Sequence, residues 1–267
     1  MPDRPGTGAP TLRGAAVLVT RPAHQAAGLV RAIEEAGGRA VCWPALTIEP
    51  PRDTAARTQF PDQVRASQIV IFISSNAVEQ ALAQLPPIAW PRGLLLGAVG
   101  EGTARALRDG FQRGPDLVPP ERFDSEGLLA LPTLQAVAGK RILIVRGEGG
   151  RELLADSLRA RGAAVEYAEV YRRACPGQVP AEARAALVQD QIDIVTATSA
   201  EALRNLLEMA GELADPLRAL PLVVVSERMA REAKELGFRR PAIVARAAGS
   251  EALVEALRAW AGEREQA

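Results

Sequence analysis

Residues 15–46 read AAVLVTRPAHQAAGLVRAIEEAGGRAVCWPAL, and this stretch decides the fold class. It opens with the apolar run AAVLVT (15–20), which is typical of a buried strand. HQAAGLVRAIEEAGG (24–38) has helical spacing of its apolar residues and ends in glycine, and RAVCWPAL (39–46) returns as a second strand. Strands that are apolar without alternation are covered on both faces, so the stretch predicts a parallel strand–helix–strand unit.

The same alternation of apolar runs and helical stretches continues along the chain. We expect further strands at IVIFIS (69–74), LLLGAV (94–99), RILIV (141–145), AVEYAEVY (164–171), DIVTAT (193–198), LVVVS (222–226) and PAIVA (241–245). A helical pattern follows most of these runs. The sequence therefore predicts an α/β protein built from parallel sheets.

An internal repeat runs through the chain. VLVTRP (17–22) is echoed by ILIVRG (142–147), and IFISSNAVEQAL (71–82) is echoed by TATSAEALRNLL (196–207). Matching residues of these blocks lie 125 positions apart, and two further pairs of blocks share this offset to within one residue. Chance similarity between elements would give scattered offsets, so we infer two copies of one α/β unit.

Two proline-rich breaks suit domain boundaries better than the junction between the copies does. They are TIEPPRD (47–53) and RRACPGQVP (172–180). We therefore predict one discontinuous domain formed by residues 1–49 and 176–267, and a second domain formed by residues 50–175. Two neighbouring connections between domains would form a hinge with a cleft beside it.

The composition excludes several classes of protein. The 267 residues carry 32 Lys and Arg against 32 Asp and Glu, so there is no global basic field for nucleic acid. His24 is the only histidine, which excludes a Ser-His-Asp triad and a histidine-based zinc site. We expect Cys42 and Cys175 to be reduced packing residues of a cytosolic protein. No apolar run is long enough to span a bilayer.

LLLGAVGEGTARALRDGF (94–111) resembles the start of a nucleotide-binding loop, because an apolar run meets a glycine-bearing turn and a helix. Arg105 stands where a dinucleotide fingerprint has its third glycine, and the Gly-Lys-Ser/Thr of a phosphate loop is missing. What remains is a helix N-terminus, which binds carboxylates as readily as phosphates. Gly100, Gly102 and Thr103 are candidate anion-binding residues. The alternative is a tight turn that uses glycine for its backbone freedom.

Three further turns place a hydroxyl near a helix start, at Ser74, Ser199 and Ser226. A helix N-cap explains each of them when it is taken alone. Ligands of open α/β sheets bind outside the carboxyl ends of the strands. If these turns faced one another across a cleft, they would suit a large ligand with many carboxylates.

Arginines also follow predicted strands. Arg21 and Arg146 occupy matching points of the two copies, and each could donate two parallel hydrogen bonds to a carboxylate. Arg151 opens a helix, where a cation is locally unfavourable, so it too points to an anionic ligand. The alternative is a surface arginine at the end of a strand. Tyr171 lies beside the predicted hinge, where its hydroxyl is a candidate proton donor and packing is the alternative.

The ordered series of motifs resembles the uroporphyrinogen-III synthase family over about residues 15–258. The motifs that carry the resemblance are VTRP (19–22), FISSNAVE (72–79), AVGEGTARAL (98–107), RFDSEGLLA (122–130), GKRILIVRGEGGRELLADSLRARGAAVEYAEVYRR (139–173), TATSAEALRNLL (196–207) and SERMAREAKELGF (226–238). The resemblance implies two similar α/β domains with parallel, flavodoxin-like sheets. A two-stranded linker would join them, and the second domain would be inserted into the first.

The resemblance further implies that the linear tetrapyrrole hydroxymethylbilane is cyclised to uroporphyrinogen III, with loss of water, inversion of the last pyrrole ring and no metal or organic cofactor. Tyr171 would assist loss of the hydroxyl. The substrate-binding residues would be Arg21, Ser74, Asn76, Gly100, Gly102, Thr103, Arg146, Gly147, Arg151, Ser199 and Ser226. We expect a cytoplasmic monomer that binds neither nucleic acid nor membrane and takes its substrate from hydroxymethylbilane synthase in a transient hand-over.

Two departures from the family pattern affect the expected contacts. Ile73 precedes the first serine where family members often have Thr, and Met229 replaces a Thr that many of them have. A side-chain hydroxyl at residue 229 is thereby excluded. The residues alone leave two other classes open: a hinged, non-enzymatic binding module for an anionic metabolite, and a nucleotide-dependent α/β enzyme, which the missing third glycine disfavours.

Overall fold

A computed structural model describes residues 11–111, 113–247 and 249–264. These residues form two compact units. Unit 1 comprises the described residues up to Thr47 and from Ala174 onward, and unit 2 comprises Ile48–Arg173. Both breaks lie two residues before the domain boundaries predicted from the proline-rich segments.

Ten strands occur in the described part of the chain. They are β1 (Ala16–Val19), β2 (Arg39–Cys42), β3 (Thr47–Glu49), β4 (Ile69–Phe72), β5 (Leu95–Ala98), β6 (Arg141–Gly147), β7 (Ala164–Ala174), β8 (Ile194–Thr196), β9 (Leu222–Val224) and β10 (Ile243–Val244). Nine of them coincide with predicted strands. The exception, β3, lies in a segment that its prolines had marked as a linker, and Pro50 and Pro51 follow it directly.

The described residues also form twelve α-helices. They are α1 (Ala23–Glu35), α2 (Thr54–Ala66), α3 (Ser75–Gln84), α4 (Glu101–Phe111), α5 (Ser125–Leu129), α6 (Pro132–Gln135), α7 (Leu153–Ala160), α8 (Ala181–Val188), α9 (Ala200–Ala210), α10 (Ala214–Ala219), α11 (Glu227–Glu235) and α12 (Ser250–Glu263). Two short 3₁₀ turns occupy Pro87–Ala89 and Gly211–Leu213. None of the described helices is both long and apolar enough to cross a membrane.

Helix α1 shows why the first stretch folds as predicted. Its buried residues Ala26, Leu29 and Ile33 lie on one face at helical spacing. Gly37 follows the helix with φ +78°, a left-handed conformation that glycine adopts without steric cost. The amide of Gly38 donates to the carbonyl of Ile33 at 2.9 Å, which closes the last turn and leads into β2.

The strands form two five-stranded sheets, one in each unit. Unit 1 has the order β10-β9-β8-β1-β2 and unit 2 has the order β3-β7-β6-β4-β5. The pairs β1·β2, β1·β8, β8·β9, β9·β10, β4·β5, β4·β6 and β6·β7 are parallel. The predicted α/β class with parallel sheets is confirmed.

Each sheet combines strands from both copies of the sequence repeat. In unit 1, β1 and β2 of the first copy pair with β8, β9 and β10 of the second. In unit 2, β6 and β7 of the second copy pair with β4 and β5 of the first. The repeat equates β1 with β6 and β8 with β4, so the orders β2-β1-β8-β9 and β7-β6-β4-β5 correspond. This exchange of halves explains why the breaks between units miss the junction between copies.

Apolar side chains cover both faces of each sheet. In β1, Ala16 and Leu18 enter one core cluster while Val17 and Val19 enter another. In β4, Val70 and Phe72 pack on one face while Ile69 and Ile71 pack on the other. Continuous apolar runs therefore mark doubly covered strands, as the sequence predicted.

Candidate functional site

Three serines cap helices that begin after strands. The Oγ of Ser74 accepts a hydrogen bond from the amide of Ala77 at 3.1 Å, at the start of α3. The equivalent distances are 3.1 Å for Ser199 and Ala202 in α9, and 3.3 Å for Ser226 and Met229 in α11. The N-cap interpretation is therefore confirmed for all three.

Each serine accepts a hydrogen bond from only one of the backbone amides at its helix start. The serine takes the amide of the third helical residue, and the amides of the first two residues lie outside the hydrogen-bond ladder of the helix. In α3 those residues are Ser75 and Asn76; both are half-buried, and Asn76 already interacts with another group of the protein. The helix start carries a partial positive charge, so this surface suits a carboxylate.

The turn before α4 differs from the expectation in one respect. Gly100 and Gly102 do not have positive φ, since neither belongs to the glycines in the left-handed region. A Cβ placed on either residue would meet nothing within 4 Å. The interpretation that these glycines supply backbone freedom is wrong, and their effect is to leave the helix start uncovered. Thr103 is 5% exposed and packs in the first turn beneath them.

A β-bulge places Tyr171. The register between β6 and β7 pairs Arg146 with Glu169 but Gly147 with Tyr171, so one residue of β7 is skipped. Alternation would send Val170 and Tyr171 to opposite faces of the sheet. Because of the bulge, both enter the core cluster that also holds Ala168. Tyr171 is 3% exposed, so the packing alternative describes its ring.

Gly147 lies directly against the ring of Tyr171. A Cβ on Gly147 would stand 2.7 Å from the ring atoms Cε2 and Cζ and 3.1 Å from the hydroxyl oxygen. Only glycine leaves room for the ring at this point. The amide of Glu148 then donates to the carbonyl of Tyr171 at 2.8 Å, which ties the loop after β6 to β7.

The hydroxyl of Tyr171 reaches the start of α3. Its oxygen lies 3.1 Å from the Oγ of Ser74, and either hydroxyl can be the donor. Tyr171 thereby contacts two other residues of the predicted site, Ser74 and Gly147. This contact is the central feature of the candidate site in unit 2.

Arg146 is not placed to bind a ligand as expected. Its side chain is 2% exposed and makes an ion pair with Glu152 at 3.1 Å. It also donates to the carbonyls of Gly147 and Gly149, and it stacks 4.5 Å above the ring of Tyr167. The guanidinium is thus engaged in holding the loop after β6, which argues against the predicted pair of bonds to substrate.

Glu152 and Tyr167 complete this network, and the sequence analysis did not identify them. The hydrogen bond from Tyr167, followed by the bond and charge of Arg146, lowers the pKa of the Glu152 carboxyl. Burial and the neighbouring Glu152 carboxylate raise the pKa of the Tyr167 phenol. The carboxylate therefore stays ionised beside its buried arginine.

The other two arginines have different surroundings. Arg151 is exposed at the end of the same loop, and no ion pair joins it to the described part of the chain. Arg21 in unit 1 is half-buried, and burial lowers the pKa of its guanidinium. Its Nη1 lies 3.4 Å from the Oγ of Ser250 in the first turn of α12. The two copies therefore do not use their matched arginines, Arg21 and Arg146, in the same way.

Unit 1 holds Arg21, Ser199 and Ser226 at the carboxyl edge of its own sheet. Two buried threonines lie at the same edge and were missed in the sequence. The hydroxyl of Thr20 donates to the carbonyl of Thr196 at 2.8 Å, and the hydroxyl of Thr196 donates to the carbonyl of Leu18 at 3.0 Å. These bonds fasten β1 to β8.

The remaining chemically notable side chains lie apart from these contacts. His24 is exposed in the first turn of α1. Cys42 and Cys175 form no disulfide and are exposed, so the expectation that they are packing residues is wrong. Burial of part of each side chain, with nearby carboxylates, raises the pKa of both thiols. Among the described residues, no cluster of three or more His, Cys, Asp or Glu could hold a metal ion.

The protein is thus a two-sheet α/β protein with capped helix starts at the carboxyl edges of its strands. Residues 27–255 match the family described as Uroporphyrinogen-III synthase HemD. This match covers most of the chain, and the chain belongs to the uroporphyrinogen-III synthase family, whose members are enzymes of tetrapyrrole synthesis. The comparisons do not support the non-enzymatic alternative.

Individual relatives agree with this assignment. The chain is 37% identical over 248 residues to uroporphyrinogen-III synthase of Escherichia coli (strain K12), covering 90% of this chain and 99% of the relative. It is 35% identical over 246 residues to the Salmonella typhimurium enzyme, with the same two coverages. The structure of a mutant uroporphyrinogen III synthase from the extremely thermophilic bacterium Thermus thermophilus matches with a TM-score of 0.58 at 16% identity, over 95% of this chain and 100% of that one. At that identity the structure supports the fold alone.

Replacing Gly147 by Ala tests the contact beneath Tyr171. The new Cβ would overlap the ring, so we expect the free energy of unfolding to fall by about 1–3 kcal/mol. Urea unfolding of Gly147→Ala checks this. Gly102→Ala is the matched control, because open space surrounds that position in a helix and alanine is favoured there. Equal stability of Gly147→Ala and the unaltered protein would contradict the close contact.

Proposed function

We propose that this protein cyclises hydroxymethylbilane to uroporphyrinogen III, with loss of water and inversion of the last pyrrole ring. The observation that carries the proposal is the family match, supported by 37% identity across nearly the whole length of a named synthase. The reaction is that of a cyclising hydro-lyase. It serves the formation of haem-like tetrapyrroles.

Binding of the substrate rests on local positive charge rather than on net charge, because acidic and basic residues balance. The substrate carries acetate and propionate arms on every ring. We propose that these arms bind at the starts of α3, α4, α9 and α11 and at Arg151. Backbone amides at helix starts tolerate changes of side chain, which accounts for the loose agreement between the two copies at these turns.

Catalysis in this proposal depends mainly on positioning. Loss of the hydroxymethyl hydroxyl leaves a cation that the pyrrole system stabilises, and a pyrrole carbon then attacks it. The protein must hold the linear tetrapyrrole in a folded conformation, so that the last pyrrole ring is in the inverted orientation when the macrocycle closes. Tyr171 supplies the proton with which the hydroxyl departs as water.

The proposal extends to the architecture. The strand order β2-β1-β8-β9-β10 corresponds to the 2-1-3-4-5 order of flavodoxin, which supports flavodoxin-like sheets. We propose that residues 1–49 and 176–267 form one domain, that residues 50–175 form a second domain inserted into it, and that the neighbouring strands β3 and β7 include the linker. The enzyme would act without a cofactor, as a cytoplasmic monomer that receives its substrate from hydroxymethylbilane synthase.

The product isomer tests the activity. Hydroxymethylbilane closes without an enzyme to the type I isomer, which lacks the inverted ring. We expect the purified protein to yield uroporphyrinogen III from freshly generated hydroxymethylbilane, as resolved by chromatography of the oxidised products. Formation of only the type I isomer, at the rate found without protein, would refute the proposed function.

Arg151 and Arg146 should respond differently to replacement by Ala. Loss of the exposed Arg151 removes a charged hydrogen bond to a substrate carboxylate, which is worth about 1.5–3 kcal/mol, so we expect KM to rise roughly tenfold or more. Loss of the buried Arg146 should instead lower Tm, because Glu152 and two carbonyls lose their donor. Steady-state kinetics and thermal unfolding separate the two effects. An unaltered KM in Arg151→Ala would remove Arg151 from the substrate site.

A further inference from the structure

We propose that Ser74 relays the proton of Tyr171 to the departing hydroxyl of the substrate. Ser74 is then the catalytic residue that touches the substrate, and Tyr171 supplies the proton from behind it. The inference rests on the proposed function, because it assigns a route to the proton that assists loss of water. It changes the expected role of Ser74 from a carboxylate-binding cap to a proton donor.

The hydrogen-bonding capacity of Ser74 is the first observation that supports the relay. A serine hydroxyl has two acceptor positions and one proton. The amide of Ala77, which can only donate, occupies one acceptor position at 3.1 Å. When the Tyr171 hydroxyl donates across its 3.1 Å contact, it occupies the other. The serine proton is then directed away from both partners.

The difference in burial between Tyr171 and Ser74 is the second observation that supports the relay. Tyr171 is 3% exposed, and its ring is packed against Gly147 and the core. Ser74 is only half-buried and lies at the first turn of α3, at the carboxyl edge of the sheet. Ser74 is therefore the more accessible hydroxyl of the pair, and a substrate at this edge meets it first.

The other serine caps lack the second hydroxyl. Ser199 caps α9 with the same 3.1 Å distance and lies 125 residues after Ser74. The residues 125 positions before Gly147 and Tyr171 are Pro22 and Leu46, so neither the glycine nor the phenol occurs at the matching positions of unit 1. The paired hydroxyls are thus specific to unit 2, which distinguishes them from ordinary capping.

The proposed step balances in protons and electrons. Ser74 gives its proton to the substrate hydroxyl, the carbon–oxygen bond breaks, and its electron pair leaves with water. Tyr171 passes its proton to Ser74 and becomes a phenolate beside it. When the new ring closes and the attacking pyrrole recovers its aromaticity, it loses a proton, which returns through Ser74 to Tyr171. The net release is one water.

Turnover of four variants tests the relay: Ser74→Ala, Ser74→Thr, Tyr171→Phe and the double variant Ser74→Ala/Tyr171→Phe. Loss of a positioned proton donor typically costs about 10²-fold or more in rate. We expect Ser74→Ala to lower kcat by this order with little change in KM, and Tyr171→Phe to lower it no further than Ser74→Ala does. The double variant should match Ser74→Ala, and Ser74→Thr should retain most of the activity.

Two further variants separate the relay from helix capping. Ser74→Gly removes the hydroxyl but keeps a residue that is well tolerated at an N-cap, so it should be as slow as Ser74→Ala while remaining folded. Thr58→Ala removes an exposed hydroxyl of α2, outside the proposed site, and should leave kcat unchanged. Circular dichroism and Tm establish that each variant is folded.

Several outcomes would overturn the relay. Near-normal kcat in Ser74→Gly would show that the serine proton is not used. A far larger loss in Tyr171→Phe than in Ser74→Ala would show that the phenol donates directly, and a raised KM at normal kcat would return Ser74 to carboxylate binding. Unchanged turnover in Tyr171→Phe would remove Tyr171 from the reaction altogether. All of these outcomes leave the type III product as an independent test of the proposed function.

Discussion

The close approach of Gly147 to the Tyr171 ring is the constraint on which the candidate site depends. A skipped residue in β7 turns Tyr171 toward the core, and the missing side chain at Gly147 lets the ring lie flat against β6. From that position the phenol reaches Ser74 at the start of α3. Three elements distant in sequence are thereby fixed to one another at the carboxyl edge of one sheet.

The two copies of the repeat have diverged around this constraint. They still supply equivalent strands, and each five-stranded sheet takes two strands from one copy and three from the other. Their strand ends now differ: Arg146 is buried in a network with Glu152 and Tyr167, while its counterpart Arg21 lies half-buried near Ser250. Duplication thus provides similar surfaces of helix starts, while the contact between Ser74 of the first copy and Tyr171 of the second is found in unit 2.

Much of the fold could be predicted from the sequence because it depends on patterns that local residues carry. Apolar runs located nine of the strands, and glycine after residues 24–36 located the end of α1. The short strand β3 was hidden by the prolines that follow it. The bulge in β7 could not be predicted, because register depends on the partner strand and no local residue pattern marks the skipped position.

The candidate site was only partly predictable for a related reason. Residue types identified Ser74, Gly147 and Tyr171 as candidates, but only coordinates show that they touch. The burial of Arg146 could not be foreseen, because no local residue pattern links it to its partners Glu152 and Tyr167. Gly100 and Gly102 were predicted to provide backbone freedom in a tight turn. In the structure neither has positive φ, and open space surrounds both. Side-chain contacts across strands were the missing information.

Backbone amide exchange with the product bound shows whether the helix starts at the carboxyl edges bind the carboxylate arms, as proposed. Hydrogen–deuterium exchange would be followed by mass spectrometry with and without saturating uroporphyrinogen III, kept reduced. We expect slower exchange in peptides that cover the first turns of α3, α4 and α9. Peptides at the opposite edges, such as residues 139–140 and 190–193, should exchange as before. Slower exchange only at those opposite edges would contradict this proposal. Unchanged exchange at the helix starts while the product is bound would also contradict it.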